Sequence, residues 1–129
     1  MDRTVVTSPD VPSSGKPYSP AIRHGDTLYL SGQVAYDPAT GGGLAGGFEV
    51  QARRVLDNLC ALLRAGGSDP SLVLKTTCLL VDIADAPRFN EIYREYFPVD
   101  PPARSTFAVA ALSAGFLVEV EAIAAVAER

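Results

Sequence analysis

The sequence predicts an α+β fold in which two helices lie on one face of a mixed β-sheet. Two patterns of apolar residues lead to this prediction. Several short runs alternate between apolar and polar residues or are almost wholly apolar, as strands are. In two longer runs apolar residues recur every three to four positions, as in amphipathic helices. Their order is strand, strand, helix, strand, helix, strand, strand, which is typical of helices layered on a sheet. With 129 residues, 47% of them hydrophobic, residues 1–129 are expected to form one domain.

The N-terminal part of the chain is predicted to contain two strands. Residues 1–16 are rich in proline, serine and aspartate, so we expect an extended lead-in there. A short strand over 18–23 precedes a turn, and a better strand over 27–32 alternates between two faces. Residues 37–47 hold five glycines and a proline, which predicts a loop.

A helix is predicted from Phe48 to the glycine pair at 66–67, because the apolar period changes to that of a helix. The pair of glycines is a typical helix stop. The predicted buried stripe of this helix is Ala52, Val55, Leu56, Leu59, Leu62 and Leu63. The following run, 72–81, is largely apolar and β-branched, so we expect a central strand that is buried on both faces.

A second helix is predicted to begin near Asp85, which we expect to cap it, with Pro87 in its first turn. Its apolar stripe is Phe89, Ile92, Tyr93, Tyr96 and Phe97. Proline 98 and the prolines that follow end the helix. Two strands, over 103–109 and 117–126, complete the sheet and flank a turn signal at 112–115.

Two charged residues stand out because each lies within an apolar strand. If the last two strands form a symmetric hairpin, Arg104 and Glu121 lie roughly opposite each other. The residues alone leave two interpretations open. The pair is either a cross-strand surface ion pair, worth about 0.2–1 kcal/mol, or a site for a small carboxylate with a water beside it.

Composition makes several classes of function improbable. The net charge is −4 and only two residues are lysines, which disfavours binding to nucleic acid. No apolar run approaches the roughly 20 residues of a membrane helix, and the N-terminus does not resemble a signal peptide. Cys60 and Cys78 are expected to be buried thiols in a reducing cytoplasm, and with one histidine, His24, we expect no metal site.

Short motifs along nearly the whole chain, from about residue 17 to 126, resemble the reactive intermediate deaminase (YjgF) family. The motifs are PYSPAI (17–22), LSGQ (30–33), DPATG (37–41), GGS (66–68), FNEIY (89–93), PPARS (101–105) and EVEAIA (119–124). Each is short, but all of them occur in order and at the family's spacing. The resemblance favours the substrate-site interpretation of Arg104.

The resemblance implies a chorismate mutase-like fold and a homotrimer with sites in the clefts between subunits. It also implies hydrolysis of 2-imino acids to 2-oxo acids and ammonia, without a cofactor. Two other hypotheses remain: a non-catalytic module that binds small carboxylates such as 2-oxo acids in the same cleft, and an activity on RNA. The acidic balance of the chain argues against the last of these.

The resemblance also assigns roles to individual residues. Arg104 matches the arginine that binds the substrate carboxylate, since a guanidinium takes a carboxylate bidentately. Glu121 matches the acid that orients or activates water. The positions that match substrate-binding residues are Tyr18, Ser31, Gly32, Asn90 and Thr106. Some family members carry cysteine at the position of Thr106, so no reactive thiol is expected there. Glu119 receives no role from the resemblance and is expected to be solvated or in an interface pair.

Overall fold

The structure is a computed structural model that describes residues 2–43 and 45–127. It has one six-stranded mixed sheet with two helices; the sequence predicts the mixed sheet and both helices, but only five of the six strands. The strands are β1 (Arg3–Val6), β2 (Ala21–His24), β3 (Thr27–Gln33), β4 (Val73–Leu80), β5 (Ala103–Ala108) and β6 (Val118–Ala125). The helices are α1 (Phe48–Ala65) and α2 (Ala86–Tyr96). None of the described helices is long and apolar enough to cross a membrane.

The strand order across the sheet is β1-β2-β3-β6-β4-β5. Only β4 and β5 run parallel, and every other neighbouring pair is antiparallel. Strand β1 lies inside the segment predicted as an extended lead-in, which was assigned no partner. Its hydrogen bonds to β2 make it an edge of the sheet. Leu44, within the predicted loop 37–47, lies outside the described residues.

Helix α1 buries the predicted apolar stripe and ends where the glycines predict. The N–H of Gly66 donates to the carbonyl oxygens of Leu62 and Leu63, and Gly67 adopts a positive φ of 82°. A side chain at Gly66 would overlap Leu28 of β3, since an added Cβ would lie 2.7 Å from its Cδ1. The helix therefore ends on a residue whose lack of a side chain permits close contact with the sheet.

Two details differ from the sequence prediction. Asp85 occupies the N-cap position of α2, but its side chain makes no capping bond; Asp82 instead accepts a bond from the N–H of Ala84 in the preceding turn. Strand β4 was predicted to be buried on both faces, whereas it alternates: Thr76, Cys78 and Leu80 are buried and the other face is partly open. Both helices cover the same face, so the chain alone leaves the second face uncovered.

A buried asparagine attaches the chain after β3 to α1. Asn58 is 1% exposed, and its amide donates to the carbonyl oxygens of Val34 and Tyr36 at 3.3 and 3.0 Å. Its carbonyl accepts a bond from Arg54 Nε at 3.0 Å. These bonds satisfy backbone carbonyls where the strand pairing has ended.

Replacing this asparagine tests the attachment. We expect Asn58→Ala to lower the free energy of unfolding by about 1–3 kcal/mol, because it removes the side-chain hydrogen bonds to the carbonyls of Val34 and Tyr36, of which the Val34 carbonyl keeps the N–H of Tyr36 as a donor. Urea denaturation at a fixed protein concentration measures the change. Arg64→Ala, at an exposed site on the same helix, is the control and is expected to change stability by less than about 0.5 kcal/mol. Equal stability of the two variants would contradict the prediction.

Candidate active site

Arg104 lies near the start of the edge strand β5, on the face of the sheet that carries the helices. Its Nη2 donates to Asn90 Oδ1 of α2 at 2.7 Å. Its guanidinium carbon lies 4.8 Å from the centre of the Tyr93 ring and 6.0 Å from that of Phe89. A hydrogen bond and a cation–π contact therefore orient the guanidinium, while its remaining N–H donors are available to a ligand.

The ring beneath Arg104 is itself held in place. The Tyr93 hydroxyl and the buried Thr76 hydroxyl of β4 lie 2.7 Å apart. Burial raises the pKa of Tyr93 to about 12, so the phenol stays neutral at physiological pH. Tyr93 thus acts as a rigid support for the guanidinium and is not a candidate base.

A cleft of about 280 Å³ opens beside Arg104. It is lined by Asn90, Tyr93, Arg94, Phe97, Pro101, Pro102 and Arg104. Within residues 2–43 and 45–127, no carboxylate forms an ion pair with Arg104. An oriented, unpaired guanidinium in a largely apolar cleft is suited to bind a small carboxylate.

A second cluster of polar residues lies elsewhere on the chain. An open cleft of about 430 Å³ is lined by Lys16, Tyr18, Ser31, Gly32, Ser113, Glu119 and Glu121. The pairing of β3 with β6 is irregular between Leu30 and Gln33, and this bulge contains Ser31 and Gly32. The Ser31 hydroxyl donates to the Ser19 carbonyl oxygen at 2.6 Å, which fixes this edge of the cleft.

The side chain of Glu119 lies directly over Gly32. A Cβ at position 32 would lie 2.7 Å from the carboxyl carbon Cδ of Glu119, so a side chain there would displace this carboxyl group from its position. Glu119 is half-buried, and that burial, together with the negative charge of Glu121, raises its pKa. A carboxyl group with a raised pKa in a cleft is a candidate for proton transfer.

The predicted Arg104–Glu121 hairpin is wrong, because β4 lies between β5 and β6. Arg104 pairs with Thr76, which pairs with Ala122, whereas Glu121 belongs to the next row, with Thr77. Successive residues of a strand point to opposite faces, so Arg104 and Glu121 project from opposite faces of one sheet. The turn signal is real, since a 3₁₀ turn covers Ser113–Gly115, but the connection passes across the end of β4.

The predicted site residues therefore divide into two groups. Asn90 lies with Arg104, and Thr106 follows two positions along the same strand and face. Tyr18, Ser31, Gly32 and Glu121 lie in the second cleft. Glu119 joins this second group although the sequence assigned it no role. Its alternation with Glu121 was visible in the sequence, but its burial over Gly32 depends on the pairing of β3 with β6.

The chain has no reactive thiol at position 106, which is a threonine, and its two cysteines are buried. Thr106 Oγ1 is buried beside the Cys78 thiol and, among the described residues, has no hydrogen-bond partner of ordinary geometry. Burial raises the pKa of both thiols, that of Cys60 to about 11. In the described parts of the chain, no group of three or more His, Cys, Asp or Glu side chains is placed to hold a metal ion.

Known proteins resemble this chain over almost its whole length. The family model described as Endoribonuclease L-PSP matches residues 9–126. The human protein named 2-iminobutanoate/2-iminopropanoate deaminase is 42% identical over 122 residues, which cover 95% of this chain and 89% of the relative.

Solved structures have the same fold. RidA from an Antarctic Psychrobacter bacterium superposes with a TM-score of 0.91 at 34% identity, covering 95% of this chain and 99% of that one. E. coli TdcF with bound serine gives 0.90 at 30% identity, covering 96% and 99%. The chain therefore belongs to the Endoribonuclease L-PSP family, which is the reactive intermediate deaminase (YjgF) family that its motifs resemble.

Proposed function

We propose that this protein is an enzyme that hydrolyses 2-imino acids to 2-oxo acids and ammonia. The observation that carries the proposal is Arg104, which Asn90 and Tyr93 orient and which has no carboxylate partner among the described residues. Relatives more than 40% identical bear the name 2-iminobutanoate/2-iminopropanoate deaminase, which supports this substrate class. The reaction needs water and a proton carrier, and the proposal includes no cofactor.

The mechanism begins with the substrate carboxylate on the guanidinium of Arg104. Two parallel N–H···O bonds fix the plane of the carboxylate, and with it the adjoining imine carbon. Because a protonated imine is intrinsically open to attack by water, orientation supplies much of the rate enhancement. Tyr18, Ser31, Gly32 and Thr106 are proposed to line the remainder of the substrate site.

We assign the proton transfers to Glu119. As carboxylate it takes a proton from the attacking water, so that the oxygen bonds to the imine carbon and a tetrahedral aminol forms. Glu119 then returns this proton to the nitrogen. As the C–N bond breaks and ammonia leaves, the C=O bond forms and the hydroxyl proton passes back to the Glu119 carboxylate. The family resemblance implies this role for Glu121, and that assignment stays a prediction. The greater burial of the Glu119 side chain favours Glu119 instead.

The two polar clusters require more than one chain to form a complete site. Arg104 and the acidic cleft lie on opposite faces of the sheet, so one substrate cannot reach both within a subunit. The face opposite the helices also exposes Tyr29, Phe107 and Ile123, which are 47%, 48% and 37% exposed. A homotrimer that buries this face and joins the Arg104 cleft of one copy to the Glu119 cleft of the next satisfies both requirements.

A non-catalytic module that binds 2-oxo acids is the alternative that uses the same residues, and the comparisons do not favour it. Turnover distinguishes the two, because a binding module forms a stoichiometric complex and releases no ammonia. Binding to nucleic acid and to membranes is not part of the proposal, and a cytoplasmic location stays a prediction.

For this mechanism, the first prediction concerns the binding of the substrate carboxylate by Arg104. We expect Arg104→Ala to lower kcat/KM for 2-iminobutanoate by about 100-fold or more, because a charge-assisted bidentate contact is lost. Arg104→Lys should retain only a small part of the natural kcat/KM, since an ammonium group lacks the planar pair of donors that a guanidinium presents to a carboxylate. The assay generates the imine with an amino-acid oxidase and follows its decay against the uncatalysed rate. Undiminished activity of Arg104→Ala would refute the proposed site.

A second prediction separates the two glutamates. Loss of general base catalysis in Glu119→Gln should lower kcat by about 10²–10⁴-fold. Glu121→Gln should retain activity and shift the acidic limb of the pH–rate profile to lower pH, because removing a neighbouring negative charge lowers the pKa of Glu119.

The stability of Glu119→Gln provides the control. Since folding raises the pKa of Glu119, the carboxyl contributes stability at low pH that is lost as the pH rises through the folded pKa. The glutamine variant is therefore expected to be at least as stable as the natural chain at neutral pH. If Glu121→Gln is the inactive variant and Glu119→Gln is active, the assignment to Glu119 is wrong.

The third prediction tests the shared site. Arg104→Ala and Glu119→Gln chains, each inactive alone, are refolded together in equal amounts. If each site combines residues of two subunits in a cyclic trimer, random mixing restores about a quarter of the natural activity. The activity of the natural chain after the same refolding procedure is the reference for this fraction. A mixture that is no more active than its separate components would place the site within one chain.

A further inference from the structure

The cleft beside Arg104 contains a second arginine. Arg94, in the last turn of α2, lines the same volume of about 280 Å³. Within residues 2–43 and 45–127, neither Arg94 nor Arg104 forms an ion pair with a carboxylate. By contrast, Arg88 on the same helix pairs with Glu49.

Two unpaired guanidinium groups in one cleft are unfavourable without an anion. Like charges that share a site repel, and the repulsion grows where protein excludes part of the water. The chain as a whole is acidic, with 15 Asp and Glu against 11 Lys and Arg, so carboxylates are available. Among the described residues of one subunit no carboxylate lines this cleft, so the cleft is cationic before the acidic cleft of the next copy joins it, and Arg94 is available to a second negative charge on the ligand.

The helix geometry fits a short dicarboxylate. Asn90, which holds Arg104, and Arg94 are one helical turn apart, so their Cα atoms are separated by about 6 Å along α2. Arg104 is fixed by Asn90 and Tyr93, whereas Arg94 is exposed and has a long, adaptable side chain. One carboxylate on Arg104 and a second, two or three carbons further along the ligand, on Arg94 would satisfy both cations.

We propose that this cleft selects 2-imino acids whose side chain carries a second carboxylate, with Arg94 as the residue that determines this preference. The inference rests on the proposed deaminase function for its substrate class, and it adds a binding role for Arg94. Arg104 takes the carboxylate next to the imine, and Arg94 takes the side-chain carboxylate. Phe97, Pro101 and Pro102 form apolar walls against the carbon chain between them.

The test compares two imines of equal carbon number, 2-iminoglutarate and 2-iminopentanoate, which an amino-acid oxidase generates from glutamate and norvaline. The natural protein is expected to prefer 2-iminoglutarate in kcat/KM. Arg94→Gln should lower the ratio of the two kcat/KM values by about three- to tenfold, and Arg94→Glu by more, because an ionic contact is removed or reversed. Arg88→Gln, which changes the same charge on the same helix outside the cleft, should leave the ratio unchanged.

A binding measurement keeps the inference separate from the deaminase function. Calorimetric titration compares 2-oxoglutarate with 2-oxopentanoate, which differ only in the terminal carboxylate. We expect tighter binding of 2-oxoglutarate, which weakens in Arg94→Gln and at higher ionic strength. If no imine is hydrolysed but this preference holds, the deaminase function fails and the dicarboxylate site stands. If imines are hydrolysed but Arg94→Gln changes neither ratio, the dicarboxylate inference is overturned.

Discussion

The site depends on the insertion of β4 between β5 and β6. Its residue Thr76 pairs with Arg104 on one side and Ala122 on the other, and its hydroxyl bonds to Tyr93 below the guanidinium. One buried row therefore sets which face Arg104 occupies and what supports it. A shift of one residue in this register would move Arg104 to the face without helices and away from Asn90.

The charged side chains of both clefts lie in positions where they do not stabilise the isolated chain. Arg104 has no counter-ion among the described residues, and Glu119 is half-buried beside Glu121 with a raised pKa. Gly32 leaves the space that the Glu119 carboxyl occupies. Such unpaired charges are found where a ligand or a partner subunit completes the set, and here they mark the two parts of the proposed shared site.

Local patterns predicted the elements well because their causes are local. The stripe of α1, its end at Gly66, and the apolar face of α2 follow from side-chain spacing and glycine geometry. The capping prediction for Asp85 failed because Asp82 forms the side-chain bond one turn earlier. Strand β1 was not predicted because a short run has too little pattern to reveal its partner, which is 15 or more residues away in the sequence.

The sequence by itself determined the fold class, the family and six of the fourteen residues that line the two clefts, since these are carried by residue type and order along the chain. Only the tertiary structure decided which residues meet. The turn signal at 112–115 predicted that Arg104 and Glu121 lie opposite each other, but in the structure β4 lies between their strands. A turn fixes the local direction of the chain and does not determine which strand becomes the neighbour. The pairing of β3 with β6 placed the Glu119 carboxyl over Gly32, and the contact of α2 with β5 placed Arg94 in the cleft of Arg104. Both arrangements arise from contacts between segments distant in sequence.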